Sequence, residues 1–356
     1  MSPSCPLKIC LIGLGRLGAI RARILATQQP RLQVVGACDT KPGADKWAAA
    51  NLPSSVRFFA DPGDCMRDSG AEAVLISTAT ATHAPLICLA LDLGLHVMCE
   101  KARTKPHLKF LIPLTRRYDD NFRAAKKLVE SGALGEVHAV ETSSLDKQDP
   151  TGFFVTFSEQ SGGIFVDMGV HDIDVGRFYL NPTQGLTNPK KQVNRVIAMG
   201  QQVVYGELAK YGDADNGWGM VEFANGKILT HHVGRTLSNG HEGTTRICGT
   251  KGHTIVNGVR TVTPPDAFLL YDRSFLNDLA EFAAIVLDNA PMSCIAEDAF
   301  EAAKITTALQ NSFRSGLPVY FDDEGLPILH ELPAKGATNG VKANGVKING
   351  VAVNGH

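Results

Sequence analysis

The sequence predicts an α/β protein: a doubly wound parallel sheet, then an α+β unit built on an open, mostly antiparallel sheet. Three observations carry this. Short β-branched runs alternate with helical patterns through the first hundred residues. From about residue 135 the strand patterns lengthen and are joined by tight turns. Two strong helical patterns close the folded part.

Taken in order, strand patterns fall at Lys8–Ile12, Gln33–Cys38, Val56–Phe59, Ala73–Ser77 and His96–Glu100. Helical patterns separate them at Arg16–Ala26, Ala44–Asn51, Gly63–Asp68 and His83–Leu93. Beyond residue 135 the strands are Val137–Ser144, Arg195–Val204, Gly217–Phe223, Lys227–Val233 and Thr244–Cys248, with Ala224-Asn225-Gly226 as a hairpin turn. The helical patterns at 274–288 and 297–314 follow, the second stopped by Gly316 in the manner of a C-cap. The domain reading is 1–134, 135–330 and a tail, 331–356. In the tail Asn-Gly recurs at 339, 344, 349 and 354 with too little apolar mass to fold, so disorder is expected there.

Composition excludes several classes. Among 356 residues, 44% are hydrophobic and 20% charged, an ordinary globular balance. A net charge of -1 supplies no basic surface for nucleic acid or an anionic membrane. No apolar run reaches the length of a membrane span, and the N-terminus lacks the pattern of a signal peptide, so a cytoplasmic protein is expected. The eight cysteines form no CxxC pair, which favours reduced thiols over disulfides or zinc, and no metal is expected.

Two segments suggest chemistry. Gly13-Leu14-Gly15-Arg16-Leu17-Gly18 follows a strand and opens a helix, and Asp39 ends the next strand. Gly13 permits the tight turn, Gly15 lets a pyrophosphate approach the backbone, and Gly18 lets helix and strand pack closely. Asp39 would accept from the adenosine ribose hydroxyls, which favours NAD; Lys41 nearby leaves room for the 2′-phosphate of NADP. Thr78, Thr80 and His83 would line the ribose side, although His83 also suits a polar position at a helix start. Glu100 and Lys101 end the fifth strand, where ligands of such sheets bind; a surface ion pair is the other reading. In the second segment, Ser161–Phe178, Asp167, His171 and Asp174 recur at steps of four and three. On a helix they share a stripe, either a solvated face or a carboxylate orienting an imidazole in a cleft.

Together GLGRLG, CDT, STATATHAPLICLALDLGLHVMCEK, TRRYDDNFRAAKKLVESGALGEV, GGIFVDMGVHDIDVGRF and EDAFEAAKITTALQNSFRSGLPV resemble the Gfo/Idh/MocA oxidoreductases, nearest their inositol 2-dehydrogenase branch. The resemblance spans residues 7–320. It implies a Rossmann domain, an open-faced sheet domain and a homodimer or homotetramer joined through that C-terminal sheet. It also implies Lys101, Asp167 and His171 as catalytic residues and Asp174 as a substrate contact. Asp149 and His241 would border the substrate, His241 standing where inositol dehydrogenases carry a tyrosine; a surface loop is the alternative for His241.

The implied reaction moves a hydride between a secondary alcohol of a cyclic polyol or sugar and nicotinamide. His171 would take the hydroxyl proton, Asp167 would set its ring, and Lys101 would stabilise the developing charge on oxygen. A sugar or dihydrodiol dehydrogenase, or a non-catalytic nucleotide-binding regulator of the same fold, are the competing expectations. Two departures stand out. Ala102 replaces the proline of the family's Glu-Lys-Pro, and too few residues follow Lys101 for the usual crossover helix. An exposed sheet face, a changed pairing for Leu108–Leu114 and impaired activity are the expected consequences.

Overall fold

The computed structural model describes residues 5–79, 82–99, 109–257 and 271–332. The first sheet takes the order β3-β2-β1-β4-β5-β6, with every pair parallel. Its strands are β1 (Leu7–Ile12), β2 (Leu32–Cys38), β3 (Arg57–Phe59), β4 (Ala73–Ile76), β5 (His96–Cys99) and β6 (Phe110–Leu111). Helices α1 (Arg16–Thr27), α2 (Ala44–Asn51), α3 (Pro62–Asp68) and α4 (His83–Asp92) connect them. Side chains alternate across a strand, so each face of the sheet collects its own core. Ile9, Leu11, Leu75, Met98 and Leu111 pack with α1 and with Phe275, Leu279 and Phe282 of a late helix, α9 (Asp272–Asp288). Cys10, Ile12, Val74, Ile76, Val97 and Phe110 face the other way, into a core continuous with the second domain.

The short segment after β5 behaves differently from expectation. Phe110 and Leu111 pair in parallel with Val97 and Met98, so the sixth strand keeps its ordinary neighbour. No sheet face opens: Val97, Cys99, Phe110 and Ile112 are at most 2% exposed. The reason is that Phe110, Ile112 and Leu114 join the continuous core leading to the second domain. The predicted lack of a crossover helix falls in 100–108, outside the described residues, as does most of the predicted tail.

A 3₁₀ turn, Thr115–Tyr118, and α5 (Asp120–Glu130) lead into the second sheet, of order β12-β11-β7-β10-β9-β8-β13. It contains β7 (Val137–Lys147), β8 (Val193–Gln201), β9 (Asn216–Phe223), β10 (Ile228–Leu237), β11 (Glu242–Gly249), β12 (Gly252–Val256) and β13 (Val319–Tyr320). Only β7 and β10 pair in parallel. The predicted hairpin joins β9 to β10, with Gly226 at φ +81°. On one face lie α6 (Phe153–Ser161), α7 (Ile164–Asp167), α8 (Gly169–Leu180) and α10 (Ala296–Ser315). Gly176 brings α8 against β10, since a Cβ there would stand 2.5 Å from Leu229. The other face carries exposed apolar residues: Ile197 pairs with Met220 and Met199 with Trp218.

Beneath α8 and β9, His231 of β10 is 2% exposed, and neither ring nitrogen has a hydrogen-bond partner among the described residues. Its ring meets Phe165 edge-on at 5.6 Å. Burial disfavours the imidazolium and pushes the pKa from 6.5 down to about 4. The unfolded chain therefore binds this proton first as pH falls, and the folded state loses stability between those two values. Denaturant unfolding at pH 7 and pH 4 should show His231 contributing about 3 kcal/mol to the acid loss. His231→Leu should flatten that part of the profile; an unaltered pH dependence would contradict the assignment.

Candidate active site

The glycine loop forms as its residue types require. Gly13 holds φ +95°, and a Cβ on it would lie 2.7 Å from the Ser77 carbonyl oxygen at the end of β4. A Cβ on Gly18 would lie 2.0 Å from the Gly13 carbonyl oxygen, so α1 can approach only as glycine. Gly15 differs: nothing lies within 4 Å of a Cβ there, and it caps α1 without any side-chain hydrogen bond. The start of α1 beside Gly15 is thus open to an approaching group, the arrangement that receives a phosphate. Asp39 accepts from the amides of Leu14 (2.7 Å) and Lys41 (2.8 Å), which ties the loop to the end of β2. Its remaining lone pairs suit ribose hydroxyls. Arg16 is exposed at the helix start, and Leu17 is half-buried beside it.

On the far side of the loop, the Thr78 hydroxyl accepts from that of Thr82 at 2.7 Å. His83 is corrected from its expected role along the cofactor. It is 4% exposed, and its Nε2 sits 2.9 Å from the Thr78 carbonyl oxygen, closing the turn into α4. The alternative reading, a polar residue serving the helix start, is the one that fits. Thr80, Glu100 and Lys101 lie outside the described residues.

The polar stripe is carried by two consecutive helices, α7 ending at Asp167 and α8 beginning at Gly169. Met168 between them keeps right-handed helical angles, so the four-residue step from Asp167 to His171 still spans about one turn. From Gly169 to Arg177, His171 is the one residue that is not buried. Its neighbours are held from below by the 3₁₀ turn. The Arg117 guanidinium grips Asp174 through both oxygens, at 2.8 and 2.6 Å. Arg116 donates to Asp172 at 2.5 Å and also to Ser144 of β7, whose hydroxyl donates to the same carboxylate oxygen at 3.1 Å. Both aspartates are 0% exposed. Burial works against each guanidinium, but its carboxylate partner outweighs that and holds the arginine pKa above the ordinary value.

Asp174 is therefore corrected: it is a buried ion-pair partner of Arg117, with no exposed surface to offer a substrate. The stripe runs from an open end at Asp167 and His171 to a closed end under the arginines.

Three polar side chains border the open end. Ser144, Val233 and Gly243 stand side by side on the helix-covered face of the sheet. Two residues after Ser144 and Val233, and two before Gly243, come Asp146, Arg235 and His241. His241 Nδ1 lies 2.9 Å from Asp146 Oδ1. The Arg235 guanidinium is ion-paired with Asp167 and sits 4.6 Å from the centre of the Phe154 ring. Asp149, expected at the rim of the pocket, is half-exposed in a turn. It accepts from the Thr151 hydroxyl and from the amides of Thr151 and Phe153 as the chain enters α6. Those contacts, the Thr151 hydroxyl first, hold its pKa below the ordinary value.

Sequence reasoning passed over Arg116, Arg117, Asp146 and Arg235. For the last two the signal was present, since strand alternation puts each two positions from a buried neighbour on the helix face. No group of three or more metal-ligating side chains exists among the described residues, and none of their helices is long and apolar enough to cross a membrane.

Residues 7–106 match the oxidoreductase family with an NAD-binding Rossmann fold, and residues 122–255 match the Gfo/Idh/MocA C-terminal domain. A scyllo-inositol 2-dehydrogenase (NAD(+)) of Bacillus subtilis is 26% identical, covering 88% of this chain and 96% of that protein. A D-glucoside 3-dehydrogenase of Escherichia coli is 25% identical, over 89% of this chain and 98% of its own. Among solved structures, scyllo-inositol dehydrogenase of Lactobacillus casei with bound NAD(H) and scyllo-inositol superposes with a TM-score of 0.80 at 28% identity. That match covers 88% of this chain and 99% of the other.

The loop yields a paired test. Gly15→Val should fold with an unaltered melting temperature but weaken NAD binding about tenfold or more, because its side chain fills the pyrophosphate's space. Gly13→Ala should instead cost about 1–3 kcal/mol of stability through backbone strain. Calorimetric titration and thermal unfolding check both; tight NAD binding by Gly15→Val would contradict the loop's assignment.

Proposed function

This chain belongs to the Gfo/Idh/MocA oxidoreductase family, and on that premise we propose that it is an NAD-dependent dehydrogenase of a cyclic polyol or sugar. One observation carries the reading: His171 is the half-exposed position on an otherwise buried stretch of helix, one turn from Asp167. The residues fit the cofactor. The open helix start at Gly15 would hold the pyrophosphate, and Asp39 would hold the adenosine ribose. When bound, NAD supplies the acceptor for the hydride leaving the alcohol carbon.

The chain's own residues do the rest. His171 takes the hydroxyl proton, the transfer for which imidazole is the side chain most often used. Asp167, held by Arg235, gives the ring a fixed carboxylate to work against. Lys101, by family resemblance, donates to the same substrate oxygen. His241 is our candidate for a second substrate contact. With Nδ1–H directed at Asp146, its Nε2 offers a lone pair to a ring hydroxyl. That preference for hydroxyl donors supports a polyol or sugar over an apolar alcohol.

The exposed apolar residues of that sheet face, Met199 against Trp218 and Ile197 against Met220, support assembly of identical chains through the C-terminal sheet. Light scattering should give the mass of a dimer or tetramer, and a monomer at micromolar concentration would refute this. A cytoplasmic location is proposed with it, consistent with the cysteines, none of which is in a disulfide among the described residues.

Absorbance at the NADH band across inositols and aldoses tests the activity itself. At least one cyclic polyol or sugar should support turnover, and His171→Ala should lower kcat about 10²–10⁴-fold while leaving NAD affinity unchanged. A His171→Ala enzyme with most of its turnover would remove the proposed base.

A further inference from the structure

Arg235 belongs to none of the roles assigned above by sequence or family resemblance, yet it is the most deeply buried cation at the open end of the site. Its side chain is 2% exposed, while its partner Asp167 is 28% exposed. Its backbone amide is anchored to the Asp215 carbonyl oxygen at 2.8 Å, and the Phe154 ring closes over the guanidinium at 4.6 Å. Two of its nitrogens, Nε and Nη1, have no hydrogen-bond partner among the described residues. Among the described residues the guanidinium's hydrogen bonding is therefore to Asp167 alone.

From this we infer that Arg235 is a positioning residue for the reaction: it clamps the Asp167 carboxylate at the angle from which that carboxylate orients His171. The inference rests on the proposed role of Asp167 and His171. A buried cation with one anionic partner cannot release it without leaving a charge unpaired in a low-dielectric place. Asp167 sits at the end of a four-residue helix, where its side chain would otherwise sample several rotamers. Gripped from the sheet, it holds one position while His171, on the next helix, receives the substrate proton. The aromatic lid keeps water from competing for the ion pair, and the burial of Nε and Nη1 excludes direct contact with substrate. Arg235 thus acts through Asp167 alone.

A double-mutant cycle on the full-length enzyme tests this. Arg235→Gln should lower kcat about tenfold or more, as misplacement of a catalytic group does, with KM for the polyol and NAD affinity altered less than about threefold. Arg235→Lys, which keeps the charge, should recover part of the rate. In an Asp167→Asn background Arg235→Gln should cost less than about twofold, because the group it positions is already gone. Equal losses in the two backgrounds, or wild-type kcat in a folded Arg235→Gln enzyme, would overturn the inference. Thermal melts separate folding failure from the effect sought, and Arg235→Lys supplies the reading if the glutamine variant does not fold. His171→Ala, run beside them, distinguishes failure of the base assignment from failure of the clamp.

Discussion

Two adjacent arginines gripping two buried aspartates are the constraint on which the site depends. Arg116 and Arg117 leave the first sheet on a 3₁₀ turn, and Asp172 and Asp174 lie on α8 of the second domain. At about 100° per residue the two aspartates stand roughly 200° apart around the helix, so the pair of contacts fixes its rotation as well as its position. His171 directly precedes Asp172 and inherits that orientation. Buried ion pairs are weak evidence for net stability, since apolar replacements of the same shape often do as well. Their value here is geometric, because an apolar contact would not specify which side of α8 meets the cleft.

The same logic sorts the remaining polar groups. Several charges inside the molecule are paired: Arg21 with Asp278 at 2.8 Å between α1 and α9, Arg117 with Asp298 as well as Asp174, and Arg235 with Asp167. His231 has no such partner, and burial keeps it neutral. Polar groups at the open end remain half-exposed: Asp167, His171, Asp146 and His241. The contrast between a sealed ionic underside and a wettable upper edge makes one end of α8 a foundation and the other a working surface.

Much of this was legible in the sequence, for physical reasons that differ by element. Helix α2, Ala44–Asn51, has the bounds predicted for it, and α1 and the last two helices are within two residues, because capping glycines and strong 3.6-residue periodicity mark them. The glycine loop was readable because Gly13 and Gly18 each meet a separate steric demand, while Gly15 between them leaves the helix start open. Asp174 was misread because helical spacing places it with Asp167 and His171 but says nothing of what packs against each turn. Only the fold brings Arg117, 57 positions earlier, onto it. The segment after β5 was misread for a related reason. Counting residues shows that a connection is short, but not that Phe110 and Ile112 join a core shared with the second domain. Strands β6, β12 and β13 were missed because two to five residues carry too little periodicity to register.

The account stands most directly on what Arg117 does for α8. In Arg117→Met the side chain keeps its bulk but leaves Asp174 buried without its cation, so denaturant unfolding should lose about 3–5 kcal/mol. Polyol turnover, measured on the folded fraction, should fall about tenfold or more as His171 loses its bearing, while NAD affinity, set by the glycine loop, stays unchanged. An Arg117→Met protein with wild-type stability and full turnover would show that the helix carrying His171 needs no such grip.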